Sequence, residues 1–110
     1  MKQVFDIEGI QSVLHSHPVV VAYFSNEACN VCKTLKPKII ETMQMQFPKA
    51  KLLYIDTEKS PVVAGQHRVF SIPTIDIYIS GKEHARFSRN VALYEFEEAL
   101  RRPYDILLGE

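Results

Sequence analysis

Tryptophan is absent from this chain, cysteine occurs only twice, and neither sign of charge prevails: 13 Lys and Arg stand against 13 Asp and Glu in 110 residues. The even balance, without a run of like charges, leaves no basic stripe for a nucleic acid and no cationic face for a membrane surface. Long hydrophobic runs are missing too. The longest, Val19 to Phe24, falls far short of the roughly 20 residues that span a bilayer. The first residues, Met1-Lys2-Gln3-Val4-Phe5-Asp6, place an acid soon after the single cation and lack an extended apolar region, so they are not read as a signal peptide. The expected location is the cytoplasm, where ordinary thiols stay reduced. Two cysteines there are poorly explained as a structural staple, and their close spacing points to redox chemistry or to a metal.

What the chain does have is a 46% apolar composition, enough for a core without a staple, in a length that suits one domain over residues 1–110. Segments of differing periodicity follow one another. Asp6 caps an expected helix from Ile7 to about His15, with Ile7, Ile10 and Leu14 on one face. Val19-Val20-Val21-Ala22-Tyr23-Phe24 has the unbroken apolar character of a central strand buried on both sides. A long helix is expected from about Cys29 to Phe47, with Val31, Leu35, Ile39, Met43 and Phe47 recurring every four residues, Ile40 beside them, and Pro37 as an internal kink. Leu52 to Ile55 reads as a second buried strand that closes on Asp56. Ser60-Pro61 opens a short helix to about Gln66.

Ile75, Ile77 and Ile79 alternate with Asp76 and Tyr78, the period of a strand, and this alternation predicts an exposed or helix-capping Asp76. Ser80-Gly81-Lys82 is turn chemistry, after which Glu83 to Phe87 returns as an antiparallel edge strand. Asn90 is the expected cap of a last helix with Leu93, Phe96 and Leu100 on its buried face. Arg101-Arg102 would sit at its negative end, and Pro103 would stop it, leaving 103–110 as a short tail. A short strand at Gln3 to Phe5 completes the series. The order of elements implies an α/β fold, a central mixed sheet of four to five strands with helices on both faces.

Cys29-Asn30-Val31-Cys32 lies between the buried strand and the start of the long helix. A helix N-terminus presents unpaired N–H groups and the positive end of the peptide dipoles, and both stabilise a thiolate. Cys29, at the cap, is therefore the candidate nucleophile. Cys32, about one turn on, is placed to resolve a mixed disulfide formed there. Lys33 and Lys36 add positive potential as solvated side chains. Inert thiols would be expected inside the apolar stripe, which Val31 and Leu35 occupy instead. A zinc site normally takes four ligands, and His15, His17, His67 and His84 are scattered without ligand spacing. No cofactor is implied beyond a redox-active Cys29–Cys32 disulfide.

The strand, loop, CxxC and helix from Val19 to Ile40 resemble those of thioredoxins, as does Pro37 in the active-site helix. Leu53-Tyr54-Ile55-Asp56 is similar to the family's third strand. Ser71-Ile72-Pro73-Thr74, about 40 residues beyond the cysteines, is similar to its cis-proline loop, and Gly81 to the hairpin turn that follows. The resemblance runs from about Ile7 to Leu100. It implies a thioredoxin-like fold, a cis Pro73 lying against the cysteine pair, and a backbone at Ile72 that pairs with a bound substrate chain. Its implied partners are proteins containing disulfides and an upstream reductase or low-molecular-weight thiol.

The chain also departs from the family pattern. Ala28 replaces the usual Trp before the first cysteine, and Asn30-Val31 replace Gly-Pro. Tyr23 stands six residues before Cys29 where the family keeps a buried Asp, Leu52 stands at that Asp's lysine partner, and Arg89 falls near a glycine of the substrate groove. Tyr23 reads first as a core aromatic; otherwise its hydroxyl would hold a water near Cys32. The leading expectation is a thiol–disulfide oxidoreductase that reduces protein disulfides. The missing Trp and Asp favour a binding module or holdase with a vestigial CxxC. The Asn-Val dipeptide leaves an oxidant or isomerase open as well.

Overall fold

A computed structural model describes Met1–Gly109. In chain order the elements are β1 (Lys2–Gln3), α1 (Ile7–Ser16), β2 (Val19–Ser25), α2 (Asn30–Gln46), β3 (Lys51–Asp56), α3 (Pro61–Gln66), β4 (Thr74–Ile79), β5 (Lys82–Ser88) and α4 (Leu93–Leu107). The sheet runs β1-β3-β2-β4-β5. β2 is parallel to β3 and antiparallel to β4, and β5 returns antiparallel beside β4.

The continuous apolar run predicts a central strand, and β2 is one: all seven of its residues are buried. Its alternation divides two cores. Val19, Val21 and Tyr23 join Leu35, Ile39, Met43 and Phe47 of α2 and Phe96, Leu100 and Tyr104 of α4. Val20, Ala22 and Phe24 join Ile10, Val13 and Leu14 of α1 and Val63 and Ala64 of α3. Asp6 caps α1 through Oδ1, which accepts the Gly9 N–H at 2.6 Å. The Val31 side chain, expected in the α2 stripe, lies outside the described residues. Cys32, by contrast, belongs to that stripe.

Three expectations at the C-terminal end are corrected. Asn90 does not cap α4; Ala92 holds the N-cap position, with no side-chain bond to the helix. Pro103 does not stop α4, which runs through it to Leu107, so 103–107 is helix rather than tail. The lost hydrogen bond at Pro103 is offset by docking of the next residue. Tyr104 is buried and meets Phe47 edge-on at 5.1 Å, and its hydroxyl accepts the Lys49 N–H at 3.1 Å. Arg101 and Arg102 consequently lie inside the helix; Arg101 stacks over Phe47 at 4.3 Å and donates to Gln46. The hairpin is as expected, with Ser80 and Gly81 at φ 52° and 83° between the paired Ile79 and Lys82. Two successive positive φ values are what a two-residue turn needs to match strand twist.

Asp76 is also corrected: it is neither exposed nor a helix cap but fully buried. In a sheet covered on both faces, alternation assigns residues to layers rather than to solvent. Ala22 on one side leaves room, and Arg86 is its direct cross-strand partner on the other. Arg86 Nε donates to Asp76 Oδ1 at 2.7 Å and Nη2 to Oδ2 at 2.9 Å. The same guanidinium reaches the carbonyls of His67 and Arg68, at 2.6 and 2.9 Å. The Tyr78 hydroxyl donates to Asp76 Oδ2 at 3.1 Å, so the 2.9 Å contact with His67 Nδ1 has the imidazole as donor. His67 Nε2 then carries only its lone pair, buried and without a partner among the described residues.

Two outcomes follow for stability. Removing one member of a buried ion pair strands the other charge, so Arg86→Met should lower unfolding free energy by about 3 kcal/mol in urea, and Asp76→Leu in the same chain should restore most of it. Burial, with Arg86 nearby, holds the His67 imidazole below its ordinary value of 6.5. The unfolded chain then binds more protons between that lowered value and 6.5. The contribution of neutral His67 is complete above pH 6.5 and is lost as pH falls through the folded value. Urea midpoints measured from neutral to mildly acidic pH should show that loss, and His67→Gln should flatten it.

Candidate functional site

The loop between β2 and α2 is built by its own polar groups. Asn26 Oδ1 accepts the Ala28 N–H at 3.0 Å, and the Asn26 carbonyl accepts the Cys29 N–H at 3.4 Å. This turn delivers Cys29 to the N-cap of α2, with φ −81° and ψ 110°. Its Sγ accepts the Cys32 N–H at 3.2 Å, a hydrogen bond aimed at sulfur from the helix terminus. Cys29 and Cys32 form a disulfide with their Cα atoms 5.3 Å apart. Their surroundings differ: Cys29 is half-buried, and Cys32 is only 3% exposed and packed within the α2 core.

The second loop of interest emerges at the same end of the sheet, because Phe24 of β2 pairs with Thr74 of β4. The Ile72–Pro73 bond is cis. Thr74 Oγ1 donates to the Ser71 carbonyl at 2.7 Å, and the Arg89 N–H donates to the Pro73 carbonyl at 2.8 Å, so the loop is fastened on both sides. Pro73 is buried and Ile72 half-buried. Ile72 and Cys29 pack against the same core cluster. The structure thus gathers Cys29, Cys32, Ile72 and Pro73 at one end of the fold. Pro37, exposed on the outer side of α2, stands apart from them.

Tyr23 lies beneath the pair. It is fully buried, and its hydroxyl donates to the Cys32 carbonyl at 3.2 Å, so it is tied to the backbone of the helix's first turn. Burial pushes the phenol above its ordinary 10.0. Leu52 packs in the same core and supplies no charge.

Lys36 is not simply solvated, as expected of it: its ammonium sits 4.3 Å from the centre of the Tyr54 ring. Those two side chains, with Ser25, Glu27, Lys33 and Cys32, line a cavity of about 160 Å³. Tyr54 was not legible as a site residue, although its strand register beside Tyr23 and the i,i+4 spacing from Cys32 to Lys36 carry the signal. Among the described residues no group of three or more His, Cys, Asp or Glu is clustered to hold a metal ion.

A mixed sheet between two helical layers, with a CxxC disulfide at a helix N-terminus and a cis-proline loop at the same end of the sheet, defines a thiol–disulfide exchange protein. The sequence pattern of the Thioredoxin family matches residues 3–102. The thioredoxin-like protein YdfQ of Bacillus subtilis is 30% identical over 110 residues, covering 100% of this chain and 97% of that one. The thioredoxin of Chlamydia trachomatis is 35% identical over 86 residues, 78% of this chain and 82% of that one. Among solved structures, Fasciola hepatica thioredoxin superposes with a TM-score of 0.85 at 20% identity, covering 93% of this chain and 98% of that one. This chain belongs to the thioredoxin family and is a thiol–disulfide oxidoreductase.

The Tyr23 hydroxyl gives a direct test of the site's support. Tyr23→Phe keeps the ring and removes one hydrogen bond to the Cys32 carbonyl. It should cost about 1 kcal/mol of stability, read as a lower urea midpoint with an unchanged slope.

Proposed function

We propose that this protein, acting as one domain over residues 1–110, reduces disulfides of protein substrates through Cys29 as nucleophile and Cys32 as resolving thiol. The observation that carries the reading is the asymmetry of the pair, a half-buried sulfur at the helix cap and a buried one three residues on. In the reduced protein, the Cys29 thiolate attacks one sulfur of the substrate disulfide. That bond breaks, the first substrate sulfur leaves as a thiolate, and a mixed disulfide remains on Cys29. Cys32 then gives its proton to water, through the cavity it lines. It attacks Cys29 Sγ and releases the second substrate thiolate. Two electrons have passed to the substrate, and the Cys29–Cys32 disulfide seen here is the oxidised product.

The Ile72 backbone pairs with the substrate chain, and Pro73, which has no N–H, fixes the loop without competing for that pairing. The pair is returned to dithiols by an upstream reductase or a low-molecular-weight thiol, in the cytoplasm. No further cofactor takes part. Among the described residues no helix is long and apolar enough to cross a membrane.

Resolution is the slow step. Cys32 must ionise while buried, where the anion is disfavoured. Tyr23, whose phenol burial raises further above 10.0, is a poor proton acceptor at neutral pH. Stopped-flow release of a peptide linked to Cys29 tests this. Cys29→Ser should abolish disulfide reduction, Cys32→Ser should trap the mixed disulfide, and the wild type should release the peptide slowly but completely. Exchange that survives Cys29→Ser would overturn the assignment of the two thiols. An inert wild type would favour the binding-module reading, in which the CxxC is vestigial.

A further inference from the structure

Between α2 and the segment leading into α4 lies a groove of about 630 Å³. Leu35, Val91 and Leu93 give it an apolar floor, and Lys38 and Arg89 stand on its opposite walls, with no carboxylate among the lining residues. Some cations are engaged, Arg86 with Asp76, Arg101 with Asp105, Lys59 with Glu27 and Lys36 with the Tyr54 ring. Among the described residues Lys38 and Arg89, like Lys2, Lys33, Lys51, Lys82, Arg68 and Arg102, are not, and only these two converge on this apolar groove. The side chains of Lys38 and Arg89 have no hydrogen-bond or ion-pair partner among the described residues.

Arg89 also holds an unusual backbone. Its φ is +63°, a region that glycine enters freely and a residue with a Cβ enters only with strain. Its N–H is bonded to the Pro73 carbonyl at 2.8 Å, so the strained residue adjoins the cis-proline loop at the cysteine end of the fold. Local strain concentrates where a side chain is needed at a fixed place. An apolar floor between two unpartnered cations complements a peptide segment with an apolar contact and a carboxylate.

We propose that this groove binds the segment flanking the reactive cysteine of a protein substrate and selects an acidic residue there, with Arg89 and Lys38 as the specificity determinants. The inference rests on the dithiol-exchange reading above.

The test uses the reduced full chain and a set of disulfide-bonded peptides in which Glu, Gln or Lys occupies, in turn, each of the three positions on either side of the cysteine. Second-order reduction rates are measured at low and high salt. At the best position, Glu should exceed Gln by about fivefold at low salt, near the upper limit for an exposed charge pair. Lys should fall below Gln, and high salt should compress the range.

Arg89→Gly should be at least as stable as the wild type, since strain is relieved, yet its Glu-to-Gln ratio should drop. Arg89→Lys should keep much of the preference. Arg89→Gly combined with Lys38→Gln should bring the ratio to about one. Equal rates for Glu and Gln in the wild type, or a ratio unchanged in the double variant, would overturn the groove assignment while leaving dithiol exchange intact. A wild type that reduces none of the peptides would overturn the exchange reading and this proposal together.

Discussion

Burial of β2 on both faces is the constraint on which the remaining arrangement depends. A strand covered above and below has its register fixed on each side, because a slip of one residue would exchange the two cores. Its C-terminal end therefore has a definite position, and everything that leaves from that end inherits it: the Asn26 turn, the Cys29 cap and the first turn of α2. β4 pairs with the same strand and begins at Thr74, opposite Phe24, so the Ile72–Pro73 loop that precedes it is referenced to the same origin. The site is assembled by two loops that share one rigid strand, and neither needs a long connection to reach the other.

The elements with a strong period were the most legible. The Val19–Phe24 run, the i,i+4 stripe of α2 and the Ser80-Gly81 turn each state their structure in local chemistry. The Cys29–Cys32 placement follows from strand, loop and helix in succession. What was not legible depended on tertiary partners. Asp76 reads as exposed until Arg86 is known to lie opposite it. Pro103 reads as a stop until Tyr104 is seen docked on Phe47 and Lys49. Asn90 reads as a cap, although the chain from Arg89 is held toward Pro73 and the helix begins only at Leu93. In each case a short-range preference was outweighed by a contact made across the fold.

Beneath the cysteines the chain has packing where its family has an acid. Tyr23 and Leu52 place an aromatic ring and an aliphatic side chain in the core, and the Tyr23 hydroxyl joins them to the site by its neutral hydrogen bond to the Cys32 carbonyl. A buried carboxylate without a cation would cost several kcal/mol; the neutral pair avoids that penalty. In the exchange proposed above, a neutral residue there also leaves Cys32 without a carboxylate to take its proton. Stability of the active-site helix and ease of proton removal are thus set against each other at one position.

The two borders of the sheet have a consequence for how this protein meets other chains. β1 is only two residues long. β5 carries Lys82, Glu83, His84 and Arg86, and its register shifts opposite Ile77 and Tyr78. A short strand on one side and a charged, bulged strand on the other are poor templates for strand addition. Neither border of the sheet therefore offers a long, flat backbone ladder on which copies of this chain would accumulate.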